Sequence, residues 1–274
     1  MSDAGAPRPA GGWPRGLRCR FTKHGKVRFT SQRDVARMWE RALRRSGLPV
    51  AWSEGFSPRP LLSFGLALPT GCESDAEYVD VRLEGEGGDV APAQGTAVAE
   101  AALAPLVQLL TSLLPDGVDV AAVVALSGDT QSLQQQVTSC TWELEVQGVT
   151  ARDLATRVEH LLGAASVPIR RERKGKLVDD DLRPGILALA PFERAPTGPP
   201  NQTVTGHLRA DLATQPRGIR PMELLEGLGT DLVLVRACRT HQWIEHEGTR
   251  REPVPDEAAV RPAARAPHAT ERAT

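Results

Sequence analysis

Phe21-Thr22-Lys23-His24-Gly25-Lys26-Val27-Arg28-Phe29-Thr30-Ser31 runs into Gln32–Ser46 and then, past Gly47 and Pro49, into Ser53-Glu54-Gly55-Phe56-Ser57-Pro58-Arg59-Pro60. Clear secondary-structure signals, a concentration of positive charge and a Gly/Pro/aromatic loop coincide here. Leu17, Cys19 and Phe21 alternate with Arg18 and Arg20, the period of a half-buried strand, and Val27 and Phe29 resume the alternation after the Lys23-His24-Gly25-Lys26 turn. Ser31 with Asp34 three residues on has the form of a capping box, and Gly47 followed by Pro49 is a stop, so the spacing predicts a helix over 32–46. Val35, Met38, Trp39, Ala42 and Leu43 fall on one face of that helix, and Arg33, Arg37, Arg41, Arg44 and Arg45 gather on the other.

Downstream, residues 61–68 and 76–83 read as two strands. A helix opening at Pro105 carries Leu106, Val107, Leu109, Leu110, Leu113 and Leu114 up to Pro115-Asp116-Gly117, and 118–126 reads as another strand. The order is β-α-β-β-α-β, the ferredoxin-like split arrangement. A polar break at 127–138 follows, and the pattern then starts again. Cys140, Trp142, Leu144 and Val146 alternate as a strand; Thr150 and Asp153 cap a helix; 167–171, 186–189 and 204–208 are strands. Met222, Leu225 and Leu228 mark a short helix and 232–237 a last strand. The expected class is therefore α+β: two tandem ferredoxin-like (βαββαβ) domains, 15–126 and 139–246, joined by a linker at 127–138. A disordered lead-in (1–14) and a disordered tail (247–274) flank them, both Pro- and Ala-rich without apolar periodicity.

With 274 residues, 41% of them hydrophobic, the chain has material for two cores. Cys19, Cys72, Cys140 and Cys238 lie far apart with no CxxC pair, which excludes a zinc ribbon or iron–sulfur cluster read from spacing and leaves reduced, buried thiols. Neither a signal-peptide pattern nor a membrane-length apolar run is present, so the expectation is a cytoplasmic protein with no membrane partner. Net charge is −1 overall, yet the first 60 residues hold 13 Lys/Arg against 4 Asp/Glu, a local excess of +9. Nucleic acid is the partner that such a segment fits.

The loop at 53–60 sets Phe56 and Arg59 among serine hydroxyls on a proline-stiffened backbone, chemistry suited to phosphate clamping and base stacking. The competing reading is a structural crossover with Phe56 plugging the core, and the arginine stripe is equally readable as a solvated face. Arg170-Arg171-Glu172-Arg173-Lys174-Gly175-Lys176 forms a second basic cluster at a hairpin tip, and Asp179-Asp180-Asp181 beside it reads as its ion-pair partner rather than a cation site. His241 and His246 have poor ligand spacing, and His24 has no carboxylate near it in sequence to orient it. Walker, GxGxxG, GxSxG and HExxH motifs are absent. The expected sites are thus RNA-binding only: Lys23, Lys26, Arg28, Gln32, Arg33, Arg37, Arg41, Arg45, Phe56, Arg59, Arg173 and Lys174, with no catalytic residue, cofactor or metal.

The segments 21–31 and 40–49, Ser53-Glu54-Gly55-Phe56-Ser57-Pro58 and Glu77-Tyr78 resemble the radical-SAM-linked family, domain of unknown function 2344. The likeness is specific over 17–83 and continues more weakly through Arg173-Lys174-Gly175 and Leu182-Arg183-Pro184 to Arg239-Thr240. It implies a partner, since members of that family are fused to or encoded beside a radical SAM enzyme, often near genes of RNA metabolism. Two family histidines are replaced here, by Gln32 at the helix start and by Arg59 between the loop prolines. That departure turns the expectation from chemistry toward binding. The leading expectation is a non-enzymatic accessory protein that binds structured RNA and presents it to a radical SAM enzyme. An endoribonuclease using His24 and a protein-only scaffold are the alternatives.

Overall fold

In a computed structural model of the chain, β1 (Gly16–Lys23) is followed by His24 and a single 3-10 turn (Gly25–Phe29), and α1 (Gln32–Ser46) begins shortly after it. The structure describes residues 12–84, 97–126, 131–173, 175–193 and 206–254, together with Ala6 and Pro9. The helix start is the reciprocal box that the sequence predicts: Asp34 N–H donates to Ser31 Oγ at 3.3 Å and Ser31 N–H to Asp34 Oδ2 at 3.2 Å. Gly47 ends the helix at φ 68°, a left-handed conformation that a Cβ would strain. Val35, Trp39, Ala42 and Leu43 are buried, and Phe21 meets Trp39 edge-on at 5.1 Å.

The chain continues through β2 (Leu62–Phe64), β3 (Glu73–Arg82), α2 (Ala97–Leu113) and β4 (Val120–Ala125). β1 lies between β4 and β3, antiparallel to both, and β2 pairs antiparallel with β3. Leu17, Cys19, Phe21, Val79 and Val81 from the strands share one core with Leu106, Val107 and Leu110 of α2 and the apolar face of α1. Trp13 and Ala6 pack at its edge, so the expected lead-in is in part attached. The strand expected to resume at Val27 and Phe29 is instead the 3-10 turn, closed by Thr30 N–H on the Val27 carbonyl at 2.9 Å, and two boundaries differ as well. α2 starts before Pro105, which lies inside it. Ala97, Ala99, Ala101, Ala102 and Ala104 have the highest helix propensity of any residue, and the one N–H missing at a proline does not outweigh that run. β2 stops at Phe64 rather than continuing to 68, because Leu66 gives its carbonyl to Arg239 and Leu68 turns into the second core.

That core is built by β5 (Ser139–Gln147), α4 (Ala151–Gly163), β8 (Ile186–Pro191), β9 (Gly206–Ala213), α5 (Pro221–Leu228) and β10 (Val233–His246), preceded by a short helix, α3 (Leu133–Gln136). β5 lies between β10 and β9, antiparallel to both, and β8 pairs with β9. Between α4 and β8 the chain makes a separate hairpin of β6 (Pro168–Arg173) and β7 (Lys176–Asp181). The expected strand at 204–208 is β9, set further along; Val204 lies outside the described residues. The last strand runs to His246 instead of ending at 237. Beyond Ala237 its residues are mostly polar, and pairing on both edges rather than apolar alternation keeps them extended.

Cys238 and Arg239 pair in parallel with Glu73 and Ser74, which joins the two antiparallel runs into one nine-stranded mixed sheet, ordered β4-β1-β3-β10-β5-β9-β8 with β2 on β3. A turn at Glu247-Gly248 returns the chain as β11 (Thr249–Arg251) against β10. The expectation of a disordered tail from 247 is corrected up to 254. Glu252 is buried against Arg20 at 2.8 Å and Val254 is buried beside Tyr78 and Leu133, so these residues carry contacts of their own. Residues 255–274 lie outside the described residues. Among the described residues, no helix is long and apolar enough to cross a membrane.

Candidate functional site

α1 lays its apolar residues on the first core, and geometry then leaves Arg33, Arg37, Arg41, Arg44 and Arg45 exposed on the other side. Arg37 lies 3.5 Å from Asp34, while Arg33, Arg41 and Arg45 make no salt bridge among the described residues. Arg44 instead braces the neighbouring loop. Its guanidinium stacks on Trp52, 4.4 Å from the ring centroid, and donates to the Pro58 carbonyl at 3.0 Å. The loop is closed at its base by Ser53 N–H to Arg59 O at 2.8 Å and Arg59 N–H to Ser53 Oγ at 3.0 Å.

Phe56 stands at the tip of this loop, fully exposed at 110% of its reference area, so it does not plug the core. Arg59 is exposed on the same loop, and Gln32 is half-buried at the first turn of α1. Lys26 is exposed, and Arg28 is half-buried over the Phe29 ring at 4.6 Å with Nη1 3.2 Å from Glu73 Oε1. Lys23 departs from the expected set. It is 2% exposed and donates from Nζ to the Thr30 carbonyl at 2.8 Å, so its ammonium faces the protein. Burial holds its pKa below the usual lysine value. The second basic cluster is separate, on the β6–β7 hairpin. Arg170 pairs with Asp179 at 2.9 Å and Arg171 with Asp180 at 2.8 Å. Lys174 and the Arg173 side chain lie outside the described residues.

At the seam where β3 meets β10, the fold assembles a group that sequence spacing does not place together. His24 Nε2 lies 2.7 Å from Asp75 Oδ1, and the Cys238 thiol donates to Asp75 Oδ2 at 3.6 Å. On the other side of the ring, His24 Nδ1 faces Glu73 Oε2 at 3.4 Å. Glu73 is itself held by the Gly25 N–H at 3.0 Å, by Arg28, and by Arg236 Nε at 2.6 Å. The backbone of His24 is fixed too, since its N–H donates to Gly117 O at 2.8 Å. The side chains of His24 and Asp75 remain 33% and 47% exposed, whereas Cys238 is buried.

The electrostatics follow from this packing. The hydrogen bond to Asp75 raises the His24 pKa above its ordinary value, against the opposing effect of burial. Burial works against ionisation of Glu73, but hydrogen bonds from Arg236 and Gly25 and the nearby positive charges bring its carboxyl down to about 2. Burial, and then the Asp75 carboxylate, push the Cys238 thiol well up. Next to this group, Arg239 is buried and grips Glu77 Oε1 from Nε at 3.2 Å and Nη2 at 2.6 Å. The alternation Glu73-x-Asp75-x-Glu77 at the head of an apolar strand is the signal that sequence offers for this group. Its partners lie too far along the chain for spacing to identify them.

Residues 16–220 match the family described as uncharacterized protein conserved in bacteria (DUF2344), and the chain belongs to it. A comparison with curated proteins gives no match.

Proposed function

We propose that this member of an uncharacterized bacterial family binds structured RNA through the α1 arginines and the Phe56 loop, as an accessory protein that presents the RNA to a radical SAM enzyme. The observation that carries the reading is the joint exposure of five arginines on α1 and of Phe56 on a loop that Arg44 pins to the same helix. Guanidinium groups neutralise phosphates, and a free aromatic ring offers a stacking platform for an unpaired base. The two antiparallel runs, each ordered fourth-first-third-second with helices after the first and third strands, support tandem ferredoxin-like units as the scaffold. The radical SAM partner rests on the family resemblance.

The test is retention of RNA by the purified full chain. Bound RNA released by salt and absent from Arg41→Glu/Arg45→Glu is the expected result; no binding, or binding indifferent to salt, contradicts it. A stable complex with a radical SAM enzyme free of nucleic acid would favour a protein-only scaffold instead. His24 beside Asp75 gives the endoribonuclease reading one specific observation, because a carboxylate-oriented imidazole is suited to proton transfer. RNA cleavage that disappears in His24→Ala supports that reading, and cleavage unchanged in that variant removes it.

A further inference from the structure

We propose that His24 Nε2, an oxygen of Asp75 and Cys238 Sγ together bind one divalent ion of the zinc type. These three donors come from the end of β1, from β3 and from β10, and one ligand atom from each lies within 4.8 Å of the others. A tetrahedral zinc ion holds N, O and S donors at about 2.0–2.3 Å, which sets them roughly 3.3–3.8 Å apart. Cys238 Sγ lies at such a distance, 3.6 Å, from Asp75 Oδ2, while His24 Nε2 faces the other oxygen, Oδ1, so the carboxylate must turn to offer one oxygen to both. The His24–Asp75 contact of 2.7 Å must open by roughly half an ångström to reach the zinc range, and both side chains are partly exposed and can move that far.

Three further features fit. An imidazole and a thiolate with a single carboxylate favour zinc over magnesium or calcium, which take all-oxygen sites. The ring nitrogen that would not coordinate faces a carboxylate, Glu73 Oε2, the arrangement that orients metal-bound histidines, and Glu73 is itself fixed by Gly25, Arg28 and Arg236. The exposed sides of His24 and Asp75 leave a path from solvent and room for a further ligand, while Cys238 is set in a sheet strand.

The experiment uses the full chain, stripped with a chelator and titrated with Zn2+ against a chromogenic competitor, then separately with Co2+. One equivalent of zinc per chain and a thiolate-to-cobalt charge-transfer absorption are expected. Cys238→Ser should abolish that absorption, His24→Asn should weaken zinc binding more than about 10-fold, and Cys72→Ser should leave both unchanged. Circular dichroism and thermal unfolding in chelator establish that the variants fold. X-ray absorption of the zinc-loaded wild type, which needs no variant, should show one sulfur ligand. Substoichiometric zinc, a cobalt spectrum that survives Cys238→Ser, or zinc with no sulfur neighbour overturns the proposal.

Discussion

Gly117 shows how narrowly some single residues are specified. It sits at φ 88°, and a Cβ there would fall 2.4 Å from the His24 carbonyl oxygen, so both backbone conformation and space require glycine. Gly117→Ala should lower stability by about 1–3 kcal/mol, read as a lower urea midpoint, and should disturb His24 first. Glu73 is specified by charge. Its folded pKa of about 2 lies below the ordinary 4.5, so its contribution to stability is present above pH 4.5 and fades as pH falls from there toward 2. Urea unfolding followed across pH 5 to 2 should therefore show a steeper decline of stability in the wild type than in Glu73→Gln. Parallel curves would contradict the ion-pair role assigned to this carboxylate.

Among the elements, α1 is the one most legible from sequence, and the reason is locality. Its capping box, its glycine stop and its two faces depend on residues close together in the chain, and each is found where the spacing predicts it. Ser31→Ala should cost about 1 kcal/mol, seen in thermal unfolding. The Phe56 loop separates binding from stability, because a fully exposed ring contributes nothing to the core. Phe56→Ala should leave unfolding unchanged and weaken RNA binding by about 1–3 kcal/mol for one stacked base. The seam group is not legible for the opposite reason. His24 and Asp75 are 51 residues apart and Asp75 and Cys238 163; the antiparallel pairing of β1 with β3 brings the first two together, and the parallel pairing of β3 with β10 adds the third. Polar residues at the head of β3 and past the middle of β10 also break the apolar alternation that marks strands, so β10 reads short from sequence by the same cause.

On the scale of the whole molecule, the two runs are visible in sequence as a repeated order of elements, while the continuous sheet that joins them is not. The join depends on a short parallel ladder and on buried charge: Arg239 of β10 holds Glu77 of β3 and the Leu66 carbonyl. Removing one partner of a fully buried pair leaves a charge without compensation. Glu77→Ala should cost roughly 3–5 kcal/mol, and denaturant unfolding followed by fluorescence and by circular dichroism should no longer coincide if the halves then separate.

If the basic helix and its loop bind RNA as proposed, phosphate neutralisation supplies the affinity, and it must fall as salt rises. Anisotropy of a labelled, structured RNA titrated with the full chain at several salt concentrations gives the slope of log K against log salt. For the wild type the slope should be steeply negative. In Arg41→Glu/Arg45→Glu affinity should fall and the slope should flatten by about 0.7–0.9 for each phosphate that the protein no longer neutralises, with unfolding unchanged because both arginines are exposed. A wild-type affinity indifferent to salt, or a variant that binds as the wild type does, would contradict the account.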